Sequence, residues 1–99
     1  MSAKSSISNI DSLKKLRTID KPHGHKLAIR LRIQTDQGLP GLTLIELLSA
    51  LDILRHSQNL TLDSIIGMCT NPDQLDIFNQ AVFQARYYFP KVSARCHKS

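Results

Sequence analysis

What is scarce in this sequence narrows it before anything that is present. Among its eight acidic residues there is a single glutamate, Glu46. No pair of carboxylates stands in a setting suited to acid–base work, and neither a Gly-rich phosphate loop nor a nucleophile elbow occurs. These absences speak against an enzyme, and no cofactor is expected. No apolar run approaches the ~18 to 20 residues that cross a bilayer, so no membrane partner is expected either. The first stretch, MSAKSSISNIDSLKKL, contains no continuous apolar segment, which argues against a secretory signal. Two cysteines, Cys69 and Cys96, are too few for a disulfide framework. They read as free thiols of a reducing compartment, which places the chain in the cytoplasm, or in the nucleus if the cell is eukaryotic or the source viral. Internal repeats and low-complexity segments are absent as well.

What is there is a chain long enough for one modest core, with an ordinary hydrophobic content of 41%. Its net charge of +5 is unevenly placed. Residues 1–34 carry eight Lys or Arg against Asp11 and Asp20, whereas residues 35–90 carry Arg55 and Arg86 against six acids. Lys91, Arg95 and Lys98 follow. An acidic body with basic ends suggests either polyanion binding by those ends or docking of a solvated arm on the acidic surface. The expected domain organisation is a basic, partly flexible arm over residues 1–25, one globular domain over 26–90 and a basic tail over 91–99.

The best-marked element is a helix over LTLIELLSALDILRH, residues 42–56. Thr43 and Glu46 form a capping box, Leu42 and Leu47 a hydrophobic staple, and Pro40-Gly41 a break before it. Glu46, Ser49, Asp52 and His56 make one narrow polar stripe, while Ile45, Leu47, Leu48, Leu51, Ile53 and Leu54 cover most of the rest. Such a helix needs partners on more than one side and belongs at the centre of the core.

Upstream, Ile10, Leu13 and Leu16 recur at three-residue steps and suggest a short helix between Ser8 and Ile19, capped by Ser8 or Asn9. Pro22 and Gly24 break the chain. In KLAIRLRIQT, Leu27, Ile29, Leu31 and Ile33 then alternate with Lys26, Ala28, Arg30, Arg32 and Gln34, the pattern of a strand. Downstream of the central helix, Thr61 reads as the cap of a further helix, with Leu62, Ile65, Ile66 and Cys69 on its apolar side. Asn71-Pro72 opens the last helix, whose stripe is Leu75, Phe78, Val82, Ala85 and Phe89. The predicted fold is therefore α+β, mainly α: one strand followed by three helices, with an optional extra N-terminal helix. A lone strand leaves its backbone groups unpaired, so the expected remedy is pairing with the same strand of a second copy in a homodimer.

The leading function on this reading is a small, non-enzymatic regulatory protein that binds DNA or RNA. Lys14, Lys15, Arg17, Lys26, Arg30 and Arg32 are its candidate nucleic-acid-binding residues, acting mainly on phosphates. In order of elements alone, residues 26–69 resemble the ribbon-helix-helix repressors. That resemblance implies a paired basic ribbon entering a major groove. The alternative is an accessory protein-interaction module, of viral, phage or plasmid type, that docks a helix face or strand edge on a larger protein partner.

Other motifs weigh less. GLTLIELL is similar to the type IV prepilin cleavage motif, but Asp52 and Arg55 interrupt the apolar stretch a pilin needs, so the match reads as coincidence. His23, His25, Cys96 and His97 lack the spacing of a zinc site, and no metal is assigned. Tyr87 and Tyr88 beside Arg86 and Lys91 read as cover for a helix end rather than as stacking platforms for bases.

Overall fold

The computed structural model describes residues 4–17 and 27–97, the side chains of residues 4, 5 and 17 excepted. Strands and helices alternate throughout: β1 Lys4–Ile7, α1 Ile10–Arg17, β2 Leu27–Arg32, α2 Leu44–Arg55, β3 Leu60–Met68, α3 Pro72–Tyr88 and β4 Ser93–His97. The helix starts follow local chemistry. Asn9 accepts the Ser12 amide through Oδ1 at 2.8 Å and so caps α1. At α2 the Glu46 amide donates to Thr43 Oγ1 at 3.1 Å, and the Thr43 amide donates to Glu46 Oε1 at 3.0 Å, closing the capping box. Asn71 caps α3 with Pro72 in its first turn.

The strands form one parallel sheet in the order β1-β2-β3-β4. The fold is α/β, Rossmann-like in its alternation of strands and crossover helices. Each crossover steps to the next strand in the same direction, without the reversal of order of a doubly wound sheet. With one handedness of crossover, all connecting helices lie on one face. Accordingly α2 packs between α1 and α3, and the three share a single core with the sheet. Ile29, Leu31, Leu60, Leu62 and Ile65 from the strands meet Leu13, Leu47, Leu51, Leu54, Phe78 and Val82 from the helices, all buried. Gly67 lets α3 approach the sheet, because a Cβ there would lie 2.8 Å from a ring carbon of Phe78. Gly41, at φ 143°, turns the loop after β2 back on Ile33, where a Cβ would collide with backbone at 2.5 Å.

The expected α+β fold of one strand and three helices is thus corrected, among the described residues, to four parallel strands and three helices. β2, the predicted strand, needs no second copy to pair with, since β1 and β3 flank it within the chain. The segment read as a helix from Thr61 is β3. Its misleading pattern has a specific cause. The β2–β3 register slips so that Ile29 faces Leu62 while Arg30 faces Ser64, leaving Asp63 as an extra, bulged residue. The bulge resets the alternation, so Leu62 and Ile65 point to the same face three residues apart and imitate a helical step. The element order behind the ribbon-helix-helix resemblance falls with it. Residues 93–97, placed in the tail, form edge strand β4, which pairs with β3 from Ser64↔Ser93 to Met68↔His97.

The cysteines are also corrected. Cys69 and Cys96 are joined in a disulfide, with Cα atoms 5.8 Å apart. The register sets Cys96 beside Gly67, two residues before Cys69, and so brings the thiols to a spacing that sequence separation hides.

Candidate functional site

With the helices on one face, the opposite face of the sheet has no helical cover among the described residues. In parallel strands, residues paired in register share a face, so this surface can be read row by row. One row runs Ser6–Arg30–Ser64–Ser93 across all four strands, and the next runs Arg32–Ile66–Arg95 across three. Ala28, Thr61, Met68 and His97 lie on the same face.

Arg30 and Arg32 are half-buried and Arg95 is exposed. Arg30 and Arg32, two residues apart on one strand, have Cα atoms ~6.6 Å apart, and Arg32 and Arg95, two strands apart in one row, ~9.5 Å. The Ile66 side chain between the two arginines is 5% exposed, and Ser64 beside Arg30 is 2% exposed. Guanidinium groups over a bed of small hydroxyl-bearing residues offer rigid, multidentate donors to phosphate oxygens.

The structure divides the candidate residues read from the sequence. Arg30 and Arg32 stand side by side on the open face. Lys14 and Lys15 are exposed on α1, in the helical layer on the other side of the sheet, and share no surface with them. The side chain of Arg17, and Lys26 altogether, lie outside the described residues, as do His23 and His25. Arg95, by contrast, joins the site from a segment that read as tail. Its alternation with Ser93 and His97 was the available signal, too short to stand out over five residues. Among the described residues no group of three His, Cys, Asp or Glu side chains is placed to hold a metal.

A second concavity, of about 550 Å³, lies at the C-terminal end of β2 against the start of α2. That end of a parallel sheet is where α/β folds bind ligands. Part of its polar wall is already committed within the protein. Thr35 Oγ1 donates to the Met68 carbonyl at 2.7 Å, Gln34 Nε2 donates to the Leu39 carbonyl at 2.9 Å, and Thr43 is engaged in the capping box. On the outer helical surface Ile45, Phe83 and Tyr87 are more than three-quarters exposed. The Arg55 guanidinium sits 5.2 Å from the centroid of the Tyr88 ring.

No protein-family model matches the chain, and no curated protein sequence matches it. Among solved structures it is similar to the crystal structure of alanine racemase from Corynebacterium glutamicum, with a TM-score of 0.79 at 14% identity. The match covers 94% of this chain and 28% of the racemase, so the chain spans just over a quarter of that protein's length. At this identity the likeness is one of fold: a parallel α/β segment of a larger enzyme has the same path.

Proposed function

We propose that the protein binds nucleic acid, without catalysis, through the open face of its parallel sheet. Arg30 and Arg32 carry the contacts, and Arg95 extends them. The observation that supports this reading is the Arg32–Ile66–Arg95 row beside Arg30, on a sheet face that no helix covers among the described residues. Parallel sheets are almost always covered on both faces, so a face with a basic centre and no helix on it among the described residues suits a partner. Phosphates suit the arginines. No Phe, Tyr or Trp side chain lies on this face among the described residues, so stacking of bases contributes little and sequence discrimination is expected to be weak. A regulatory role in the cytoplasm or nucleus remains part of the proposal.

Titration of labelled single- and double-stranded oligonucleotides at low salt, followed by fluorescence anisotropy, tests it. Binding should weaken steeply with salt, and R30A/R32A should abolish most of it. Absence of binding to both DNA and RNA at low salt would refute the proposal.

A second reading is an interaction module that docks on a larger protein, favoured by the exposed apolar side chains Ile45, Leu48, Phe83 and Tyr87 on the helical layer. Such docking would survive R30A/R32A and fail when Phe83 or Ile45 is replaced by a charged residue. A homodimer, if one forms, has the edges β1 and β4 at its disposal rather than β2.

A further inference from the structure

The disulfide stands at the one place where it can govern the basic face. Strand β4 is an edge strand whose five residues are all exposed, so none of its side chains anchors it in the core. At its start it is fixed by Val92, which is 4% exposed and whose carbonyl oxygen accepts from the Arg86 guanidinium at 3.4 and 3.5 Å. Beyond Val92 it is held by the backbone ladder to β3 and the bond from Cys96 to the buried Cys69, with α3 alongside. Arg95 is the residue immediately before Cys96. Detachment of β4 would therefore remove Arg95 from its row with Arg32 and uncover the β3 edge.

We propose that the Cys69–Cys96 bond is a thiol-reversible clasp that holds β4, and with it Arg95, on the basic face, so that reduction weakens the binding of nucleic acid. The link to binding rests on the proposed function; the clasp does not. Chemically, an incoming thiolate attacks the exposed Cys96 sulfur, and the Cys69 sulfur leaves with the electron pair and takes up a proton. A second thiol then resolves the mixed disulfide. The balance is one protein disulfide plus two small thiols giving two cysteine thiols plus one small-molecule disulfide. Cys96 on an exposed edge is the accessible sulfur, whereas Cys69, 6% exposed, is shielded. In a reducing compartment, disulfides that form are as a rule of this transient, responsive kind.

The test compares oxidised protein, dithiothreitol-reduced protein and the C96S variant by backbone NMR, and each by anisotropy with a labelled single-stranded oligonucleotide. The expected result is that chemical shifts of residues 93–97 move to coil values on reduction and in C96S, while those of Ile29 to Arg32 remain strand-like. Affinity should fall about five-fold at ~0.1 M salt, the worth of one phosphate contact on a single strand, and R95A in the oxidised protein should fall equally. Strand-like shifts at 93–97 in the reduced protein would overturn the clasp. So would loss of the β2 shifts together with those of β4, because the bond would then hold the whole fold. The change in shifts without oligonucleotide binding in either state would overturn the proposed function and the link to it, and would support the clasp alone.

Discussion

At the scale of single residues, the open face makes a graded prediction. R30A, R32A and R95A should each remove about one phosphate contact and lower the dependence of log K on log salt by ~0.7 for single strands, or ~0.9 for duplex DNA. K14A and K15A, on the far side of the sheet, should change that slope little. Anisotropy titrations over a salt series check both statements. Two other residues bear on stability. Leu31 is fully buried between sheet and helices, so L31A should cost about 2 to 5 kcal/mol in urea unfolding, the range for a core truncation. T43A removes the oxygen that accepts the Glu46 amide, and about 1 kcal/mol should go with it.

At the scale of elements, the bulge in β3 and the clasp on β4 decide most. Deleting Asp63 would turn β3 into a regular strand with Leu62 and Ile65 still on the helical face. The deletion variant should therefore fold cooperatively, at a cost within the ~0.5 to 3 kcal/mol of an ordinary substitution, as read by thermal denaturation. The disulfide closes a loop across 27 positions that contains α3. Reduction should lower the unfolding free energy by up to about 3.5 kcal/mol, by chain-entropy reasoning. The helices were the elements most legible in the sequence, because capping boxes, Asn-Pro starts and three- to four-residue stripes are local signals. The strands were legible in part. β2 alternates without interruption and could be read. β3 is bulged, and β1 and β4 span only four and five residues, so their partners rather than their own patterns make them strands.

For the molecule as a whole, the described residues form a single layer of helices on one face of a parallel sheet, with no helix among them on the other face or along either edge. A partner that binds only the folded state stabilises it by mass action. Saturation with an oligonucleotide at ~100 times its Kd should add ~2.7 kcal/mol, seen as a rise in Tm that high salt abolishes. An uncharged polymer of equal length should give none. The likeness to part of an alanine racemase describes the path of this chain and leaves its chemistry to its own side chains.

The sequence by itself determined the helices α1, α2 and α3, the strand β2 and its two faces, and the unequal distribution of charge. Each of these depends on residues close in the chain: a cap and the amide three places on, or alternation along one segment. Only the tertiary structure decided the partners of β2, the strand character of residues 60–68 and 93–97, the Cys69–Cys96 bond and the row that joins Arg32 to Arg95. All four are matters of register between segments distant in sequence. Register is set by how the parallel strands pack beneath one helical layer, and no local pattern records it.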